Sequence, residues 1–403
     1  MLDVTKIFNS GLGPAVKTAE AYRDGKSVSA FGLCSFAKTA VSALASEYVC
    51  AAGNSGVTAV ITGDFYIARN FADSLSKLAD GVYLLPARDD ALSYRDALSG
   101  ENVTARLKTL AAIATGKAKF VVCPVEAAMQ PFPSPEIFRA ACIKIEKGKE
   151  YDLGAISALL TSAGYKRETQ VSDAGTFAVR GDILDVWSVG EPLPARVEFF
   201  GDEAESIRRF DEENQLSKEY ADVYEITPAT EFFATEEEAG EITERLAGYA
   251  SSLKLAPDYA VKARELIGTL TARVSAGDRG VALGYLLPLT ETVGFFGFSG
   301  ASGVIFDEVK QIVDNANVHS EEHRNRFTSL LGRGETLPFT EGGVIPYTVS
   351  LKFDGRRLAF QNVNNANRLY SPNAVFSFRT TETPAYHRDF RLLSSDIKNW
   401  ESR

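Results

Sequence analysis

Cysteine is scarce in this chain: four thiols, Cys34, Cys50, Cys123 and Cys142, stand in 403 residues. None forms a CxxC pair, which argues against a zinc ribbon or a disulfide framework and fits a reduced, cytosolic compartment. Long apolar runs are missing, so no segment approaches a membrane span. The opening residues, MLDVTKIFNSGLG, lack the charged-then-apolar pattern of a signal peptide. Excess positive charge is missing too. The formal net charge is -10, whereas a chain that binds nucleic acid alone needs a concentrated Lys/Arg surface. That leaves room only for a local basic patch. Internal repeats and low-complexity tracts are absent as well.

What is present is an ordinary globular balance, 45% hydrophobic and 24% charged, on a chain long enough for two or three domains. The first third alternates short apolar runs with amphipathic stretches. SVSAFGL (27–33), TAVITGD (58–64), GVYLLPA (81–87) and KFVVCPV (119–125) read as strands, with helices between them. Runs of this kind predict strands buried on both faces of a parallel sheet. The proline-rich QPFPSPEIF (130–138) marks a boundary. After it, Asp152 is placed to cap a helix over 152–165. GTFAVRG, DILDVWS, ARVEFFG and EAESIRRFD then follow one another closely, which predicts an antiparallel sheet. Helices are expected to about residue 276, then sheet character in VALGYLLPL, a strand in SGVIFDE (302–308), a long helix over 309–331 and a terminal helix in FRLLSSDIKNWESR. The expected class is α/β: a parallel-sheet lobe (1–138 and 231–375), interrupted by a small α+β domain (139–230), with a linker and helix at 376–403.

One stretch of the lobe nearly spells a phosphate-binding loop. In FGLCSFAKTA, Gly32 opens the pattern and Lys38-Thr39 close it, but Ala37 stands where the second glycine belongs. A Cβ there crowds the phosphates and penalises a positive φ. Lys38 could still reach a phosphate and Thr39 a magnesium ion, while GVIFDE offers Asp307 and Glu308 as a Walker B pair. The competing reading is a strand-turn-helix with the two acids capping the next helix. About seventy residues follow 331, rich in Asn, Gly and Pro, too few for the second lobe that helicase-like ATPases close over nucleotide. The loop is therefore read as a vestige, with no cofactor and no catalytic residue expected. HSEEH (319–323) fits a His-x-x-Glu-His pattern, but no third ligand is identifiable, no metal is expected, and the surroundings read as a charged helix face. His387 is read as a linker residue. Asp211, Glu212 and Glu213 read as a turn.

In ARVEFF, the period of two puts Arg196, Glu198 and Phe200 on one face and Ala195, Val197 and Phe199 on the other, which should face the core. Phe200 is then a large aromatic on a polar face beside an arginine, with Arg180 expected on the neighbouring strand. That composition suits either an interface anchor or a solvated sheet with one stray aromatic.

The segment GTFAVRGDILDVWSVGEPLPARVEFFGDEAESIRRFD (175–211) resembles the small inserted domain shared by UvrB, the damage-verifying helicase of nucleotide excision repair, and the transcription-repair coupling factor family. RGDILDVW, RVEFFGDE and IRRFD carry the likeness, and IEKGKEYDL with LLTSAGY extends it. Two departures favour the coupling-factor family over UvrB: the broken loop at Ala37, and RDDALSYRDALSGENVTARL (88–107), where a tyrosine-rich DNA-clamping hairpin would stand and only Tyr94 occurs. The resemblance implies a degenerate helicase-type (RecA-like) lobe that is not itself an enzyme, presenting an inserted domain to UvrA, with Arg180, Arg196 and Phe200 at the contact positions. It also implies an intramolecular C-terminal partner, RNA polymerase and DNA as partners through parts outside this chain, and a cytoplasmic location without a membrane. Two other readings stay open: a nucleotide-hydrolysing lobe of a UvrB-like helicase fragment, and a plain nucleic-acid binder.

Overall fold

The computed structural model describes residues 13–54, 56–89, 92–94, 100–362, 369–382, 386 and 389–401. The sequence expectations at His387 and across residues 1–12 fall outside them. Along the chain, β1 (Ser27–Phe31), β2 (Thr58–Thr62), β3 (Val82–Leu84) and β4 (Phe120–Pro124) alternate with helices Ser35–Ala51, Phe65–Leu75 and Gly100–Ala114. A short β5 (Phe132–Pro133) precedes β6 (Ile143–Glu146). The helix Leu153–Ser162 then leads into β7 (Lys166–Arg167), β8 (Thr176–Arg180), β9 (Ile183–Val186), β10 (Ala195–Phe200), β11 (Glu203–Phe210) and β12 (Ser217–Tyr220). β13 (Val223–Ile226) closes this unit by pairing antiparallel with β6. Helices Glu236–Ser252 and Pro257–Ser275, a β14 (Thr292–Val293) paired with β5, β15 (Gly303–Asp307), the helix Val309–Gly332, β16 (Arg356–Gln361), β17 (Ala374–Ser377) and the helix Phe390–Glu401 complete the order.

The main sheet has seven strands in the order β17-β1-β16-β15-β2-β4-β3, all parallel. The expected parallel sheet is therefore present, assembled from strands before and after the antiparallel unit. Its central strands are covered on both sides, as their unbroken apolar runs require. On β2, Ala59 and Ile61 pack in one cluster with Val121, Val304 and Phe306, while Val60 faces a second cluster with Val28, Val122, Ile305 and Leu358. The first cluster continues into the antiparallel unit through Phe177, Leu184 and Val197, so one apolar core joins the two parts. Two strands of this seven-stranded sheet were not foreseen. β16 and β17 come from the polar stretch after residue 331, and β16 inserts between β1 and β15. Their short apolar runs are flanked by Arg, Asn and Gly, and only the neighbouring strands identify them as sheet.

VALGYLLPL is not sheet. Residues Val281–Leu289 form a 3-10 helix, with Leu283 N–H donating to Gly280 O at 2.9 Å and Thr290 N–H to Leu287 O at 3.0 Å. Pro288 lacks a ladder donor. A short, wholly apolar run cannot be assigned to strand or helix by period alone. The caps follow the sequence: Asp152 accepts from Gly154 N–H at 2.7 Å and Ala155 N–H at 3.1 Å, and Thr235 with Glu238 forms a capping box. Among the described residues, no helix is long and apolar enough to cross a membrane.

Candidate functional site

Two candidate sites stand out: the loop after β1 and the outer face of the six-stranded sheet, ordered β12-β11-β10-β9-β8-β7, which is antiparallel except at one edge, where β7 runs parallel to β8.

The parallel topology brings the ends of β1, β15 and β16 together, so the FGLCSFAKTA turn does meet Asp307 and Glu308. What they do there differs from either expectation. Lys38 Nζ donates to Asp307 Oδ1 at 2.7 Å and to Glu308 Oε1 at 2.8 Å. Glu308 Oε2 also accepts from Asn362 N–H at 3.1 Å. Neither acid caps the following helix: Glu308 is its N-cap residue but makes no side-chain cap bond, and it sits at φ 62. A left-handed conformation at a non-glycine residue is held by its surroundings, here Lys38, Asn362 and Phe360, whose carbonyl accepts from Glu308 N–H at 2.9 Å. Lys38 and Asp307 are both buried. Burial pulls the Lys38 ammonium down, but the two carboxylates outweigh it and hold its pKa above the ordinary lysine value. Burial pushes the Asp307 carboxyl up against the pull of Lys38. Thr39 turns its hydroxyl to Phe36 O at 2.7 Å.

The N-terminus of the helix Ser35–Ala51 is met by the segment that follows β17. Ser35 N–H and Ser35 Oγ donate to Glu382 Oε1 at 2.7 and 2.6 Å, and Cys34 N–H donates to Thr380 Oγ1 at 2.6 Å. A helix N-terminus favours an anion, and the two Ser35 bonds hold the Glu382 carboxyl below the usual glutamate range. Gly32, at φ 76, is required by the close approach of this strap: a Cβ there would lie 2.4 Å from Phe378 O. Sequence reasoning missed Thr380 and Glu382, because nothing in TTETP signals where a strap some 350 residues downstream will dock.

On the antiparallel sheet the predicted alternation holds. Ala195, Val197 and Phe199 are buried, while Phe200 is 80% exposed. Arg180 is not on the strand next to β10; β9 lies between them. What connects them is Asp185, in register with Arg196 on β10. Asp185 Oδ1 accepts from Arg196 Nε at 2.6 Å and Oδ2 from Arg196 Nη2 at 2.8 Å, and Arg180 Nη2 binds the same Oδ2. Arg196 also donates to Gln215 Oε1 at 2.9 Å and stacks 4.6 Å from the Phe210 ring centroid. Its hydrogen bond with Asp185 holds the guanidinium above the ordinary arginine pKa. The side chain of Arg196 is 15% exposed and that of Arg180 49%. Glu198 pairs with Arg208 and accepts from Ser206 Oγ at 2.9 Å. Asp185 was missed, although an acid alternating with Leu184 and Val186 inside DILDVW was a legible signal of a paired polar face.

The remaining sequence candidates resolve locally. His319 and His323 lie one turn apart on the helix Val309–Gly332, beside a cavity of about 230 Å³ that Glu126, Gln130, Glu322 and Arg326 also line. Burial lowers the pKa of His319. No group of three His, Cys, Asp or Glu suited to a metal occurs among the described residues. Tyr94 packs edge-on to Tyr285 at 5.9 Å with Arg273 over its ring. Asp211 makes the expected turn, accepting from Glu213 and Asn214 N–H at 3.1 and 3.2 Å.

Comparison with known proteins falls on the same unit. Residues 143–232 match the UvrB interaction domain family. A transcription-repair-coupling factor of Bacillus subtilis (strain 168) is 28% identical over 291 residues, 69% of this chain and 24% of the relative. Those of Staphylococcus aureus (strains RF122 / ET3-1 and USA300) are 32% and 31% identical over 190 residues, 46% of this chain and 16% of theirs. The chain thus spans less than a quarter of the length of these curated relatives. The Phe200-bearing sheet lies inside the segment that matches the UvrB interaction domain family, and over 46–69% of its length this chain is similar to the transcription-repair-coupling factors.

Proposed function

We propose that this chain is a non-catalytic adaptor: the antiparallel unit binds UvrA, and the parallel-sheet lobe, a degenerate helicase-type lobe, serves as its scaffold. In this reading the adaptor links nucleotide excision repair to stalled RNA polymerase, and the polymerase and DNA contacts belong to parts outside this chain. One observation carries the binding role. Phe200, a large aromatic, stands 80% exposed on a face whose neighbouring charges are already held in fixed geometry. A rigid, pre-ordered surface around one aromatic is what an interface anchor needs.

The non-catalytic part rests on the loop. The one ammonium, Lys38, is bound by two carboxylates, Asp307 and Glu308, and a third carboxylate, Glu382, occupies the N-terminus of the helix Ser35–Ala51, an arrangement hostile to a triphosphate. The competing hydrolytic reading needs Lys38 to exchange both ion pairs for phosphate.

Calorimetric titration with purified UvrA tests the binding role. Phe200→Ala is expected to weaken binding by about 2 kcal/mol, roughly 30-fold, with unchanged thermal stability because the ring is exposed. Unchanged affinity would sink the proposal. Arg180 and Phe200 are read as contacts, and Arg196 as the residue that orders Arg180 through Asp185. Arg196→Ala is accordingly expected to lower both UvrA affinity and melting temperature, whereas a loss of affinity with no thermal cost would make Arg196 a direct contact instead.

A further inference from the structure

The face that bears Phe200 carries a second exposed aromatic. Directly opposed residues in an antiparallel sheet share a face. Asp185 opposes Arg196, Arg196 opposes Arg208, and Arg208 opposes Tyr220. Tyr220, on the edge strand β12, is 75% exposed. Arg180 lies on the same face at the other side, opposing Ile183, which opposes Glu198. From β12 to β8 there are four inter-strand steps, about 19 Å at the usual spacing. That width suits one partner's share of a standard interface.

The charges along this row are unequal. Arg208 is matched by Glu198. Arg180 and Arg196 share the single carboxylate of Asp185, and Arg196 takes both of its oxygens. One positive charge of this cluster is thus left in excess, and it sits on Arg180, the more exposed of the two.

We propose that Tyr220 is a second aromatic anchor of the docking face, and that the partner surface presents a carboxylate to Arg180 and apolar pockets to Phe200 and Tyr220. The inference rests on the UvrA-binding reading of this face and extends it from one anchor to a footprint across five strands. An aromatic with a polar tip at the rim, a bare aromatic at the centre and an under-neutralised guanidinium opposite form a three-point pattern. It distinguishes an acidic, pocketed partner from a basic or flat one.

The test is the affinity of UvrA for the wild type, Tyr220→Ala, Tyr220→Phe, Arg180→Glu and Phe200→Ala, with melting curves for each. Tyr220→Ala is expected to weaken binding about tenfold or more and Tyr220→Phe to retain most of it, both folding normally. Arg180→Glu is expected to weaken binding strongly through like-charge repulsion. If Phe200→Ala weakens binding while Tyr220→Ala stays within about twofold of wild type, the second anchor is refuted and the docking face stands. Full affinity in Arg180→Glu refutes the carboxylate. If none of the variants weakens UvrA binding, the docking reading itself fails, and this inference with it.

Discussion

Replacing Arg106 by alanine is expected to destabilise the protein by about 3–5 kcal/mol, the cost of leaving a buried charge without its partner. The pair involved is Arg106 with Glu231, whose side chains are 2% and 7% exposed. Nε meets Oε1 at 2.6 Å and Nη2 meets Oε2 at 2.9 Å, a fork-to-fork geometry. The third nitrogen donates to Pro86 O at 2.9 Å and Gln130 Oε1 at 3.2 Å, and the guanidinium lies 4.8 Å from the Phe132 ring centroid. Arg106 belongs to the lobe helix Gly100–Ala114, and Glu231 to the segment by which the chain leaves the antiparallel unit. The pair therefore fixes that exit against the lobe. Urea denaturation would measure the loss, and a value below about 1 kcal/mol would show that the pair contributes as little as a surface one. A double variant, Arg106→Leu with Glu231→Leu, is expected to recover most of the loss, since apolar replacement of a whole buried pair is often neutral.

The same pair predicts a pH dependence. Burial alone would push the Glu231 carboxyl up, but Arg106 and Arg88 outweigh it and hold the pKa below the ordinary value. A depressed folded pKa contributes stability above the unfolded carboxyl pKa, about 4.3, and that contribution is lost as pH falls through the folded value. In Arg106→Ala the balance tips toward burial, the carboxyl prefers its proton, and acid favours the fold. The stability gap between wild type and variant should therefore narrow on moving from pH 7 toward pH 4. A gap that widens over that range would contradict the assignment.

Lys38→Met is the second large effect, and it separates a scaffold from an enzyme. In a working phosphate loop the lysine serves the ligand, and its removal abolishes turnover while the fold persists. Here it serves Asp307 and Glu308. Its loss leaves the buried Asp307 carboxylate beside Glu308 with no cation, at an expected cost of about 3 kcal/mol. Mg-ATP titration should show no binding in either form. The outcome that defeats the scaffold reading is equally concrete: a variant as stable as wild type, together with micromolar ATP affinity in wild type that vanishes in the variant. Asp307→Leu added to Lys38→Met should restore much of the stability, since it removes the orphaned charge.

Much of the architecture was legible because its signals are local or periodic. The doubly buried strands announce themselves as TAVIT and FVVCP, and the antiparallel unit as period-two runs separated by turn residues. The side-chain alternation of ARVEFF placed Phe200 outward and Val197 inward from spacing alone. The terminal strands β16 and β17 were not legible, since six and four residues in a polar stretch become strands only when β1 offers free edges on both sides. The 3-10 segment at Val281–Leu289 escaped for a related reason: an all-apolar run carries no phase.

Pairings across long separations mark the other boundary. Composition and motif identified Lys38, Asp307 and Glu308 as one group, but whether the lysine faces a ligand or its own acids depends on a side-chain choice among three charges of the same pocket. The Glu382 strap, the sharing of Asp185 by Arg180 and Arg196, and the Arg106–Glu231 fork are likewise products of packing. Periodicity dictates which way a residue points relative to its neighbours in the chain. Only the closed fold determines what it meets there, because a charge 125 or 350 residues away becomes a partner through topology and burial.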